Sequence, residues 1–186
     1  LVVRNDKLGD FMLAWPVFAL LRHYLPQAEI VALVPQYTAP MAQICPWVEQ
    51  VLVDKTHRTT HLTKVLRCKH FDAMLTLFST SQVGIAGVLA RIPYRLAPAT
   101  KLIQYLYPHR LTQRRSRSTK PEYAYNLDLA WKLLFDLGAI NSLCITHGQN
   151  NDWLPQEVPR PLLTFNDNTD ELRDTFKRAH GLEGQH

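Results

Sequence analysis

The chain has 186 residues, enough for one substantial domain or a domain with a tail. Hydrophobic residues make up 46% and charged residues 20%, which excludes a disordered, collagen-like or disulfide-stapled chain. The net charge of +5 conceals an asymmetry: residues 55–121 hold 13 Lys/Arg against the single acid Asp72, a net of +12, while the remainder nets −7. So basic a segment points to an anionic partner, whether a phosphorylated substrate, an acidic membrane surface or nucleic acid. A solvated basic face is the plainer alternative.

No apolar run reaches membrane length. The run from Phe11 to Leu21 contains Pro16 and stops at Arg22, whereas a bilayer core needs about 20 residues. Cys45, Cys68 and Cys144 are odd in number and form no CxxC pair, so reduced structural thiols are expected rather than disulfides or zinc. His57 and His61 stand four apart without an HExxH motif or a third acidic ligand, so no metal is expected. With no signal peptide before Leu1, the expected compartment is the cytoplasm.

Short apolar runs alternate with longer amphipathic ones, the pattern of βαβ units in a mostly parallel sheet. Leu1–Val3 reads as the end of a first strand, so the chain is expected to begin one or two residues into that element. A loop over Asp6–Asp10 leads into a helix over Phe11–Tyr24. Strands are expected at Glu29–Val34, Val51–Val53, Ala73–Phe78 and Tyr94–Leu96, with helices at Tyr37–Gln43, Thr60–His70 and Val83–Ala90. The basic stretch Thr100–Lys120 reads as loop with a short helix. Glu122–Leu137 gives the clearest helix, with Leu127, Ala130, Trp131, Leu134 and Phe135 at helical spacing and Gly138 as its stop. Residues 1–140 thus form one domain. Residues 141–186 read as a proline-containing linker followed by a charged helix over Thr169–His180.

The segment Arg4-Asn-Asp-Lys-Leu-Gly-Asp-Phe-Met-Leu-Ala-Trp-Pro16 joins the first strand to the first helix. In open parallel sheets ligands bind outside the carboxyl ends of the strands, which places a site in this loop. Gly9 permits a close backbone approach, and Asp10 stands at the helix start, facing the crevice. Asp is also a favoured helix N-cap, so a purely structural role for Asp10 stays open. Neither GxGxxG nor GxxxxGK[ST] occurs.

Read as R-N-D-K-L-G-D-x-x-L-x-x-P, this segment closely resembles the opening motif of the family 9 glycosyltransferases, the heptosyltransferases of lipopolysaccharide core assembly. The similarity continues through Leu20–Pro26, Ala90–Arg95 and Glu122-Tyr-Ala-Tyr-Asn126. The resemblance implies an α/β domain, a Rossmann-like mostly parallel sheet with helices on both faces, forming the amino-terminal half of a GT-B enzyme. It implies inverting transfer of a heptose or related sugar from a nucleotide-sugar such as ADP-heptose, the co-substrate, to a lipid A-linked core oligosaccharide. No other cofactor is expected. Asp10 matches the family's catalytic aspartate. Arg4 would hold an acceptor carboxylate or the departing diphosphate, with Lys7 and Gly9 beside it. The donor-binding second domain is expected to be absent from this chain, and the place of work to be the cytoplasmic face of the bacterial inner membrane.

Two further groups are candidate acceptor ligands. Lys55, Arg58, Lys64 and Arg67 form a basic patch, expected beside the carboxyl edge of the sheet. Ser79, Ser81 and Gln82 follow the fourth strand and could bind sugar hydroxyls or, equally, cap a helix. Arg110, Arg114, Arg115, Arg117 and Lys120, beside Tyr105 and Tyr107, suit contact with an acidic membrane. The competing function is a non-catalytic polyanion-binding module for nucleic acid or membrane. The Asp10 motif argues against it, and no nucleic-acid partner is expected.

Overall fold

The computed structural model describes residues 1–99, 102–113, 115 and 120–141; the expected linker beyond Asn141 and the helix from Thr169 lie outside the described residues. Among the described residues six strands form one sheet: β1 (Val2–Val3), β2 (Val31–Pro35), β3 (Gln50–Asp54), β4 (Ala73–Thr76), β5 (Tyr94–Pro98) and β6 (His109–Leu111). Their order is β3-β2-β1-β4-β5-β6 and every pairing is parallel. The crossovers carry helices α1 (Leu8–Met12), α2 (Trp15–Tyr24), α3 (Ala39–Gln43), α4 (Thr59–Lys69) and α5 (Ser81–Leu89), with 3-10 turns at Gln36–Thr38 and Leu102–Leu106. Helix α6 (Glu122–Asp136) follows β6.

Alternation along the strands divides the core in two. Val2, Ala32, Val34, Leu75 and Leu96 pack with Phe18 and Leu20 of α2 and with Leu129, Ala130 and Leu134 of α6. Their neighbours Val3, Leu33, Met74 and Ala97 pack with Leu62 and Leu66 of α4 and with Val83 and Ala86 of α5. Full burial of each large apolar side chain contributes about 1.5–3 kcal/mol, so both helical layers are held by the sheet they cover. Gly87 allows α5 to lie close on the sheet: a Cβ there would stand 2.5 Å from Met74 Cε.

Three local expectations change or sharpen. The helix expected over Phe11–Tyr24 is two helices, because Pro16 lies in the first turn of α2. Proline has no amide to give and clashes with the preceding turn, so it starts a helix more readily than it continues one. Asp10 is therefore inside α1, whose N-cap is Lys7, with no side-chain capping bond. The N-cap reading of Asp10 does not hold. A sixth strand, β6, occupies part of the stretch expected to be loop; it is short, lies at the sheet edge and includes Arg110. Edge strands tolerate such charged residues. Gly138 ends α6 as expected, at φ 71°.

Candidate active site

With this strand order, successive crossovers leave β1 and β4 toward opposite sides, and a crevice opens outside their carboxyl ends. The loop after β1 carries Arg4–Lys7 and delivers Asp10; the loop after β4 carries Leu77–Thr80. Arg4 extends the ladder of β1 by donating its amide to Leu33 O at 3.1 Å. That backbone anchor fixes where its side chain starts.

The Arg4 guanidinium is the hub of the site. It is 3% exposed and meets three carboxylates: Nε stands 2.8 Å from Asp6 Oδ1, Nη1 3.2 Å from Glu122 Oε1, and Nη2 3.5 Å from Asp10 Oδ1. Nη1 also donates to Asn126 Oδ1 at 3.1 Å, and Asn126 in turn donates to Leu13 O at 3.3 Å. Arg115 adds a second cation, its Nη1 2.6 Å from Glu122 Oε1. Two guanidiniums thus face three carboxylates. Asp10 has the longest of these contacts and keeps 31% side-chain exposure. It is the carboxylate held in place yet open to the crevice.

Asp6, Glu122, Asn126 and Arg115 belong to this cluster but were not singled out from sequence as site residues. Glu122 and Asn126 stand four apart on α6, a spacing that puts both on one face. That spacing was the available signal. Arg115, expected among membrane-contacting cations, is half-buried against Glu122, with its guanidinium 5.6 Å from the Tyr125 ring centre. The Tyr37 hydroxyl donates to the Asp6 carbonyl and ties the loop to the turn after β2.

Burial raises the Asp6 carboxyl above its ordinary 3.8, opposed by Arg4 and reinforced by the nearby Asp10 charge. The folded chain therefore holds this proton more tightly than the unfolded one. Stability from that group is complete below pH 3.8 and is lost as pH rises through the higher folded value. Asp6→Asn, fixed neutral, is expected to gain stability on the wild type as pH rises above 3.8. Urea midpoints across the acid range check this; a difference independent of pH would refute the assignment.

The remaining candidates divide between two edges. Lys55 and Arg58 lie just beyond β3, in a loop organised by buried Asp54, which accepts from His57 N at 3.2 Å and Gln82 Nε2 at 2.8 Å. Gln82 is thus engaged with Asp54. Thr80 caps α5 by accepting from Val83 N at 3.2 Å, which leaves Ser81 exposed in the first turn. Ser79, read from sequence as a sugar ligand or equally as part of a helix cap, has its Oγ buried. It lies beside the hydroxyls of Thr76 and Tyr107, and burial pushes the Tyr107 phenol up.

Lys7, at the end of the loop before α1, and Gly9 in α1 are exposed, and a Cβ at Gly9 would meet nothing within 4 Å, so no close approach requires glycine there. Lys64 is exposed midway along α4. Arg67 is not beside the crevice. α4 returns the chain toward the amino edge of the sheet, where Arg67 Nη2 donates to Leu89 O at 2.7 Å and Lys69 Nζ to Gln50 at 2.7 Å. A parallel crossover must make this return, so the ends of one helix serve opposite edges. Among the described residues no cluster of His, Cys, Asp or Glu could hold a metal ion.

Fold and site together define a Rossmann-like domain with a carboxylate cluster at its switch point. No family model matches the chain. Over 133 residues, 69% of its length, it is 51% identical to a putative glycosyltransferase of Haemophilus influenzae. The structure resembles E. coli ADP-heptose lps heptosyltransferase II, with TM-score 0.70, 19% identity and 94% of this chain covered. It also resembles the family 9 glycosyl transferase of Veillonella parvula, with TM-score 0.71, 16% identity and 99% covered. The chain spans 38% of the length of the Haemophilus protein and 49% of each of these two structures. It thus resembles a putative glycosyltransferase in sequence and shares the fold of about half of each family 9 structure.

Proposed function

We propose that the chain is the acceptor-binding half of an inverting glycosyltransferase that moves a heptose or related sugar from a nucleotide-sugar such as ADP-heptose. The acceptor would be a lipid A-linked core oligosaccharide at the cytoplasmic face of the inner membrane. The observation that carries this reading is Asp10, held by buried Arg4 at the switch point, with no capping bond to explain it. In the reaction, the Asp10 carboxylate takes the proton of an acceptor hydroxyl as that oxygen attacks the anomeric carbon. The bond from that carbon to the diphosphate breaks on the opposite face, and the nucleoside diphosphate leaves from a donor domain beyond this chain.

Arg4 is buried and ion-paired with Asp6, Asp10 and Glu122, and its Nη1 also donates to Asn126, so its part in this reading is to position the base. Lys7, Lys55 and Arg58, exposed on loops at the carboxyl edge, would meet phosphate or carboxylate groups of the acceptor, and Ser81 a sugar hydroxyl. The polyanion-module reading gives no role to a carboxylate cluster in this crevice. The test is to incubate the complete protein with ADP-heptose and a core-truncated lipid A acceptor and follow the acceptor by mass spectrometry. The expected result is a gain of one heptose. No product from a folded protein with any nucleotide-sugar would overturn the reading.

A further inference from the structure

The candidate site uses the carboxyl edge of the sheet and leaves the outer surface of α5 unexplained. A helix lying on a protein surface ordinarily turns a polar stripe to water. α5 reads Ser-Gln-Val-Gly-Ile-Ala-Gly-Val-Leu and has no polar residue after Gln82. Val83, Gly84, Ala86 and Gly87 are buried, which leaves Ile85, Val88 and Leu89 facing outward at 40%, 39% and 47% exposure. The 3-10 turn Leu102–Leu106 packs on the same helix: a Cβ at Gly84 would stand 2.7 Å from Leu106 Cδ1. That turn presents Leu102 at 83% and Tyr105 at 72% exposure. One exposed leucine is ordinary. Five large apolar side chains on two packed elements form a surface that calls for an occupant.

The surroundings name its chemistry. The Arg110 guanidinium lies 5.5 Å from the Tyr105 ring centre. Arg91 follows α5, and Arg67 reaches across from α4 to the Leu89 carbonyl. The sequence has no acid from Ala73 to Pro121. An apolar centre with a basic rim matches the headgroup boundary of an anionic bilayer. There aliphatic side chains enter the acyl layer, tyrosine rests at the interface and arginine meets lipid phosphate. RNA would use stacked aromatics and cations, and has no use for four aliphatic side chains. No helix among the described residues is long and apolar enough to cross a membrane, so the contact is peripheral.

We infer that the outer face of α5 and the turn Leu102–Leu106 form a membrane-docking surface for anionic lipid. The inference deepens the proposed function, whose lipid-linked acceptor gives docking its purpose, but its test needs no sugar transfer. The intact chain is sedimented with vesicles of phosphatidylcholine alone and of equal parts phosphatidylglycerol and phosphatidylethanolamine. Binding is expected to the anionic vesicles and to fall with salt.

Leu102→Ser with Tyr105→Ser alters no charge and lies on exposed positions, so it should fold and yet bind about tenfold more weakly or worse. Arg110→Glu should lose about fivefold or more. Phe135→Ser, an exposed apolar position (46%) on α6 in the opposite layer, should bind as wild type. Wild-type binding by the Leu102/Tyr105 variant, or no binding by any chain, overturns the inference. So does tighter binding to single-stranded RNA at matched salt, or a dimer in light scattering that the same variant dissolves. A protein that transfers sugar but binds no vesicles would lose this inference alone, and one that binds but never transfers would lose only the proposed function.

Discussion

Asp10→Asn in the complete protein is expected to lower the rate of sugar transfer by about 10²–10⁴-fold while leaving the melting temperature nearly unchanged. The amide keeps the size and one acceptor oxygen of the carboxylate but cannot take a proton from a hydroxyl. Stability should hold because Asp10 makes no capping bond and meets Arg4 at 3.5 Å from a partly exposed position. A half-exposed ion pair of that length is worth about 1 kcal/mol or less. Initial rates and a thermal melt on the same preparation separate the two effects. A rate within about threefold of wild type would remove Asp10 from the chemistry, since loss of a general base costs far more. A large fall in melting temperature would make it a structural residue instead.

Arg4→Met is expected to act the other way, on the fold before the chemistry. It leaves Asp6 and Glu122 facing each other's surroundings without the buried cation that both now contact. Removing one member of a buried ionic cluster costs about 3–5 kcal/mol, because the remaining charges stay desolvated. The lower end applies here, since Glu122 keeps some exposure and Arg115 as a second partner. In a domain of this size that is a fall of roughly 10 °C in melting temperature. Arg4→Lys should not rescue it, because a single ammonium cannot span three carboxylates as a planar fork does. Adding Glu122→Gln should recover part of the loss, as coupled neighbours do. A loss under about 1 kcal/mol in Arg4→Met would mean that the cluster is wet and that Arg4 does not organise Asp10.

Much of the architecture was legible in the chain. Alternating apolar runs and helical periodicities gave the βαβ order, Gly138 the end of α6, and the segment Arg4–Pro16 both the candidate site and the family resemblance. Short-range signals suffice there, since a strand buried on both faces and an amphipathic helix each reveal themselves within about ten residues. Two local differences have local causes: helical periodicity runs straight through Pro16, which in the fold begins a helix, and His109, Arg110 and Leu111 of β6 show no apolar alternation at the sheet edge.

The sequence by itself determined the class of fold, the loop that carries Asp10 and the concentration of positive charge in residues 55–121. Only the tertiary structure decided what the chain's cations do. It took Arg4 and Arg115 into a cluster with Asp6, Asp10 and Glu122, partners as much as 118 residues apart. It sent Arg67 to the edge away from the crevice, while Lys55 and Arg58 stayed on the loop after β3. It also left the apolar face of α5 uncovered beside Leu102 and Tyr105. The reason is physical: a charge or an apolar side chain has the same identity wherever it stands. Its desolvation and its partners are set by which distant segments pack around it, and no local spacing encodes that.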